Sequence, residues 1–185
     1  MSKGKLFVIS GASGVGKNTV LSAVMAQRND LRFSVSATTR QPRPGEQEGV
    51  SYYFVTAQRF QEMIDNNEFL EYDAHLKNSY GTPRKQLEEK LELGNVILDI
   101  EPNGAFHVRQ ERPDATLIFI APPSLEELER RLRGRGDTPA EQIRVRMERA
   151  QWEMEQSKHY DYVVTNGQVQ TCAEEILKII ADKAD

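Results

Sequence analysis

Gly11-Ala-Ser-Gly14-Val-Gly16-Lys17-Asn18-Thr19 sets three glycines and a lysine at the spacing that turns consecutive backbone amides inward on phosphate oxygens. A polyphosphate is the expected ligand. Gly11, Ala12, Ser13, Gly14, Val15 and Gly16 would form the cradle, and Lys17 would bring a mobile positive charge to the β and γ phosphates. A helix opening near Asn18 would add the positive end of its dipole. The strict form of this loop has Ser or Thr after the lysine, and Asn18 stands there instead. Its amide oxygen can accept a magnesium-bound water, or Thr19 can supply a hydroxyl one place later, so the departure touches the metal more than the phosphates. Further on, Ser36-Ala-Thr-Thr-Arg40-Gln-Pro-Arg43-Pro-Gly45 holds two arginines three apart in a stretch that proline and glycine keep out of helix. Two guanidinium forks on stiff backbone suit a terminal phosphate, with the phenols of Tyr52 and Tyr80 as further donors. Taken singly, each arginine also reads as a solvated surface charge; the grouping is what points to a site.

Such a loop needs a strand to aim it and a helix to close it. Short β-branched runs alternate with helical periodicity along most of the chain, the pattern of an α/β domain with a parallel sheet. Strands are expected at residues 5–10, 96–100, 116–120 and 162–165, all poor in charge, as strands buried on both faces should be. Thr82-Pro83, Ser124-Leu-Glu-Glu127 and Thr138-Pro-Ala-Glu141 mark helix starts. The last two are capping boxes, and the first and last place proline at the first helical position. From Thr138 to about His159 the spacing predicts one long helix, with Ile143, Met147, Ala150 and Met154 on one stripe and Arg146 and Arg149 on another face. Residues 33–80, rich in threonine, tyrosine and proline around one short helix at 57–66, break the alternation and read as a small inserted subdomain. Arg133-Gly-Arg-Gly-Asp137 reads as a hinge between two capped helices, and a packing helix is expected over 169–183. Asp99 closes a buried strand, where ligands bind in open α/β sheets, and is a candidate to orient magnesium or its waters.

The 185 residues, 38% of them hydrophobic, suit one domain that buries roughly 70% of the unfolded chain's surface. One cysteine, Cys172, excludes a disulfide scaffold and a zinc site on paired thiolates, and reads as buried filler in a helix. No apolar run approaches the roughly twenty residues of a membrane span. Met1-Ser-Lys-Gly-Lys5 shows neither an apolar leader core nor a cleavage site, so the cytoplasm is the expected location. A net charge of −4 argues against nucleic acid as a partner. Arginine still concentrates at Arg130, Arg131, Arg133, Arg135, Arg144, Arg146 and Arg149. Acidic neighbours at pairing distance account for Arg130, Arg133 and Arg144 as a solvated helix face, and the others leave room for a local anion site.

Across nearly its whole length the sequence resembles the guanylate kinase family. The likeness rests on Ser34-Val-Ser-Ala-Thr-Thr-Arg-Gln-Pro-Arg-Pro-Gly45, Asn67-Glu-Phe-Leu-Glu71, Tyr80-Gly-Thr82, Leu98-Asp-Ile-Glu101, Ile118-Phe-Ile-Ala-Pro-Pro-Ser124, Arg131-Leu-Arg-Gly-Arg-Gly136 and Val164-Thr-Asn166, besides the phosphate loop. It implies a P-loop NTPase-type three-layer α/β domain with a central parallel sheet (1–32, 83–133 and 160–185). A β-rich GMP-binding insert at 33–82 and a helical lid at 134–159 complete it. It implies transfer of the γ-phosphoryl of ATP to GMP, and to dGMP, in a cytoplasmic monomer or homodimer with magnesium as cofactor and neither nucleic acid nor membrane as partner. By the same resemblance Ser36, Arg40, Arg43, Tyr52, Glu71, Tyr80, Thr82, Asp99, Glu101 and Arg146 bind GMP. The whole loop from Gly11 to Thr19 binds ATP together with Arg135, Arg146 and Asn166. Lys17, Arg40, Asp99, Arg135 and Arg146 become the catalytic candidates. Asn18, Thr19 and Asp99 become the metal candidates, directly or through water. Ala12 stands where the family commonly has proline, and Pro102-Asn103 where it has a hydrophobic residue followed by glutamine.

The chemistry of those positions is consistent with that expectation. Guanine presents the N1–H and amine donors beside the O6 acceptor, so Glu71 can take both donors while Ser36 or Thr82 gives a hydroxyl hydrogen to O6. Adenine reverses the polarity at positions 1 and 6 and would leave a buried carboxylate unpaired. Glu71 also alternates with Leu70 and Tyr72 in a run that could leave it facing water, and Thr82 could serve as a helix cap. Lys17, Arg135 and Arg146 would gather positive charge around the transferring group, and their mutual repulsion would hold the cleft open without ATP. A kinase of another monophosphate on this scaffold would lack the Glu71, Ser36 and Thr82 combination. A phosphopeptide-binding module would show a damaged loop.

Overall fold

Leu6, Phe7, Val8 and Ile9 offer hydrocarbon to either face, which suits a strand covered on both sides. In the computed structural model, which describes residues 3–75, 78–134 and 139–184, this run lies in β1 (Leu6–Gly11), the middle strand of a parallel sheet, and is fully buried. The chain continues through α1 (Lys17–Gln27), β2 (Arg32–Phe33), β3 (Ala37–Thr38), β4 (Tyr53–Phe54), α2 (Ala57–Asp65), β5 (Phe69–His75) and β6 (Asn78–Pro83). It then forms α3 (Arg84–Leu93), β7 (Val96–Asp99), α4 (Pro102–Glu111), β8 (Thr116–Ala121) and α5 (Leu125–Arg133). After α6 (Ala140–Gln156) and a 3-10 turn (Ser157–His159) come β9 (Tyr162–Thr165) and α7 (Val169–Ala184).

The five-stranded main sheet runs β2-β7-β1-β8-β9 with every pair parallel. Helices flank it, α1 packing on α7 and α4 across β1. Since β2 and β7 lie on one side of β1 and β8 and β9 on the other, the strand order reverses at β1 and a crevice opens at the carboxyl ends of these strands, the place where open α/β sheets bind ligands. There β1 delivers the glycine-rich loop, and β7, in register Ile9 to Asp99, delivers Asp99. Cys172 is buried in α7, as filler. Among the described residues no helix is long and apolar enough to cross a membrane.

Residues 37–83 carry a second sheet, β4-β3-β6-β5, with its own apolar cluster of Ala37, Phe60, Met63 and Phe69. The rings of Phe60 and Phe69 lie 4.6 Å apart. Thr56 caps α2 by accepting the Arg59 N–H, and Asn67, at φ 56°, turns the chain back into β5.

Four local readings change. Thr82-Pro83 does not open α3: β6 runs through Pro83, which pairs with Phe69, so the helix begins at Arg84 with Pro83 as its cap residue. Likewise α6 begins at Ala140 with Pro139 in extended geometry before it, and Thr138 lies outside the described residues. The strand β9 is half exposed, with Val163 48% accessible, because it forms the edge of the sheet. The two-residue β2 was not expected; it borders β7 on the opposite edge. The Ser124 cap and the α6 stripe stand as read.

A Cβ on Gly81 would come within 2.8 Å of the Phe69 ring. Gly81→Ala should therefore overpack the small second core and cost about 1–3 kcal/mol. Urea denaturation that leaves the midpoint unchanged would show that the ring moves aside freely.

Candidate active site

The phosphate loop is shaped from within and braced from without. Gly14 and Gly16 sit at φ 87° and 90°, backbone that favours glycine, and a Cβ on Gly14 would press 2.7 Å from Leu132 Cδ2 of α5. The Ala12 carbonyl accepts the Val15 N–H at 2.9 Å, and the Val15 carbonyl accepts from Asn166 Nδ2 at 2.8 Å. Asn166, 3% exposed, thus holds the underside of the loop. A cavity of about 620 Å³ lies over the loop, lined by the full run from Gly11 to Thr19 together with Glu101, Val145, Arg146, Arg149 and Glu153.

A second cavity of about 330 Å³ is lined by Lys17, Asn18, Ser36, Tyr52, Glu71, Asp73, Tyr80, Asp99, Ile100, Glu101 and Gly104. The two share Lys17, Asn18 and Glu101. At this junction the Lys17 ammonium forms a hydrogen-bonded ion pair with Asp99 Oδ1.

Glu71 forms the far wall of the smaller cavity and is 7% exposed. Burial pushes its carboxyl up to about 7; the Thr82 hydroxyl, donating to Oε1 at 2.5 Å, partly offsets that, and nearby Asp73 adds to it. A Cβ on Gly104 would lie 2.7 Å from Glu71 Oε2, so only glycine leaves this oxygen room. Thr82 is fully buried behind Glu71 and spends its hydrogen there. Of the two hydroxyls considered for O6 of a base, Ser36 is the one that lines the cavity.

Arg40 is held by a two-pronged bond to Glu46, Nη1 to Oε2 at 2.9 Å and Nη2 to Oε1 at 2.8 Å, and its guanidinium lies 5.2 Å from the Tyr52 ring centre. The pair drives the Glu46 carboxyl down to about 2 and raises Arg40. Arg43 is exposed, and its backbone N–H donates to Glu46 Oε2 at 2.7 Å. Neither arginine side chain lines the smaller cavity, whereas Tyr52 and Tyr80 do. Arg146 lines the larger cavity on α6 and, among the described residues, has no ion-pair partner. Arg135 lies outside the described residues. Arg130, Arg133 and Arg144 pair along their helices with Glu127, Glu129 and Glu141, as a solvated face does.

Sequence reasoning missed Glu46, Asp73, Gly104 and Glu153. Glu153, 3% exposed, accepts the Ser13 N–H at 2.6 Å, and its only sequence signal is a carboxylate three residues from Ala150 on the buried stripe of α6.

A strand–loop–helix phosphate cradle at the end of a parallel sheet, joined to a second cavity with a buried carboxylate, is the arrangement of a P-loop nucleotide kinase. The profile of guanylate kinase matches residues 3–183. The guanylate kinase of Synechococcus sp. (strain JA-3-3Ab) is 47% identical over 176 residues, covering 95% of this chain and 81% of that protein. That of Prochlorococcus marinus subsp. pastoris is 45% identical over 177 residues, covering 95% and 96%. The crystal structure of guanylate kinase from Anaplasma phagocytophilum superposes with a TM-score of 0.77 at 34% identity, over 99% of this chain and 87% of that one. The chain belongs to the guanylate kinase family: it is a nucleotide-binding transferase whose reaction is phosphoryl transfer from ATP to GMP.

A carboxyl whose folded pKa is raised binds its proton more tightly in the native state, so stability falls as pH rises from the ordinary 4.5 through about 7 and then levels off. Glu71→Gln should abolish that slope. The nucleotide-free variant should exceed the parent by about 1–3 kcal/mol at pH 8 and match it near pH 4.5. Urea denaturation at the two pH values checks this, and equal midpoints at pH 8 would mean that Glu71 ionises without penalty.

Proposed function

We propose that the larger cavity holds ATP and the smaller holds GMP or dGMP, so that the γ-phosphoryl group crosses at the junction formed by Lys17, Asn18 and Glu101. That shared border is the observation on which the reading rests, because phosphoryl transfer requires donor and acceptor in line with little more than positive charge around them. Glu71, deprotonated, takes the N1–H and amine hydrogens of guanine while Ser36 donates to O6. Thr82 acts one layer behind, orienting Glu71. Tyr52 and Tyr80, which line the smaller cavity, meet the acceptor phosphate, and Arg40, held by Glu46 beside the Tyr52 ring but outside that lining, turns toward it with Arg43 as GMP enters.

An oxygen of the GMP phosphate attacks the γ phosphorus, and the bond to the bridging oxygen breaks, its electron pair leaving with ADP. Lys17 follows the charge that builds on the transferring group, and Arg135 and Arg146, both within the 134–159 segment read as the lid, add their charge to it. Lys17 must exchange Asp99 for phosphate oxygens as ATP enters, which releases the Asp99 carboxylate. Among the described residues no cluster of three or more His, Cys, Asp or Glu is placed to hold a metal ion. Magnesium bound largely through substrate phosphates and water needs only one or two protein oxygens, and Asp99, Asn18 and Thr19 supply those of the right hard type. When bound, the ion neutralises charge on the β and γ phosphates. Asn166 serves ATP indirectly, through the Val15 carbonyl.

The core, insert at 33–82 and lid at 134–159 would act as parts of one domain, in a monomer or homodimer of the cytoplasm, without nucleic acid or membrane partners.

A coupled assay offering ATP with GMP, dGMP, AMP, UMP and CMP should show turnover with the two guanine nucleotides and very little with the rest. Comparable turnover of AMP would remove Glu71 from base recognition. Lys17→Ala should lower kcat by at least about a hundredfold while GMP affinity stays within about threefold of the parent. Equal losses in both would contradict the division of the cleft.

A further inference from the structure

Glu153 places a buried carboxylate beside the larger cavity, whose lining also carries Lys17, Arg146, Arg149 and a second carboxylate, Glu101. Like charges at that range repel, so the carboxylate weakens anion binding unless it acts in some other way. Its two oxygens have separate partners. Oε2 accepts the Ser13 N–H at 2.6 Å, and Oε1 accepts Nε of Arg149 at 3.0 Å. Arg149 in turn donates through Nη2 to Glu101 Oε2, so a guanidinium held between two carboxylates offsets the charge of Glu153.

The Ser13 N–H belongs to the same planar peptide unit as the Ala12 carbonyl, which accepts the Val15 N–H. One edge of that plane is therefore held inside the loop and the other by a side chain of α6, the helix that also carries Arg146. Rotation of this plane would redirect the amides that follow it. We propose that Glu153 is a positioning residue for the donor site: from α6 it sets the Ala12–Ser13 peptide, and through it the curvature of the phosphate loop, with Arg149 as its charge partner. The inference rests on the larger cavity being the ATP site.

The test compares Glu153→Ala and Glu153→Gln with the parent, reading KM for ATP, KM for GMP and hydrogen exchange at the Ser13 amide without nucleotide. Glu153→Ala should raise KM for ATP about tenfold or more and speed Ser13 exchange to a similar degree, while KM for GMP stays within about twofold. Glutamine keeps an acceptor oxygen and loses the charge. Glu153→Gln should therefore bring KM for ATP back to within about threefold of the parent and keep Ser13 protected. A glutamine variant as impaired as the alanine one would assign the effect to charge rather than to the Ser13 bond and overturn the proposal. So would equal rises in both KM values, which mark general loss of structure, or an unchanged KM for ATP in Glu153→Ala. If the alanine variant does not fold, an unprotected Ser13 amide in Glu153→Gln is sufficient to overturn it. A parent enzyme without ATP:GMP turnover would sink the proposed function instead, and Ser13 exchange would still report on the bond.

Discussion

Cations gathered for phosphate must be stable in one another's company before any phosphate arrives, and the protein meets that constraint with carboxylates. Lys17 rests on Asp99, Arg40 on Glu46, and Arg149 on Glu101 and Glu153. Of the three cations whose repulsion was expected to hold the cleft open, Lys17 is paired, Arg146 has no ion-pair partner among the described residues, and Arg135 lies outside them. Each pair is partly exposed on at least one side, so in the proposed cycle the bonds would exchange with substrate oxygens at modest cost. In the proposed cycle the phosphates compete with these carboxylates, which favours a ligand of high charge over one of low charge.

In the proposed function, base recognition would work by the opposite device. Among the described residues Glu71 has no cation paired with it; it has burial, one hydroxyl from Thr82 and a glycine left small at Gly104. Its native affinity for a proton makes the empty pocket closer to neutral, and a guanine edge with two adjacent hydrogens would draw the carboxylate form out. The same lack of a partner penalises a base that presents an acceptor there. Pro102, a departure from the common family pattern, is accommodated as the first residue of α4, and the helix is intact behind the pocket. Ala12, the other departure, is buried in the loop with its carbonyl used by Val15.

Much of this was legible along the chain because it depends on short-range patterns. The glycine spacing of 11–19, the charge-poor runs that became β1, β7 and β8, and the Ser124 cap each record an interaction closed within a few residues, so sequence periodicity reports them directly. The residues that carry the family likeness were legible for the same reason, as contiguous blocks.

What the chain by itself determined, then, is the order of strands and helices, the phosphate loop and the set of residue types suited to two nucleotides, since those follow from local sterics and from the polarity of each side chain. Tertiary structure alone decided partnerships that no local periodicity records: Thr82 turned from helix cap to support for Glu71, Asn166 met the Val15 carbonyl, and Glu153 reached the Ser13 amide from 140 positions away. A hydroxyl or carboxylate carries no mark in sequence of which distant donor it will meet. Only the packing of the sheet, the second sheet and α6 brings those groups within bonding distance and removes the water that would otherwise satisfy them.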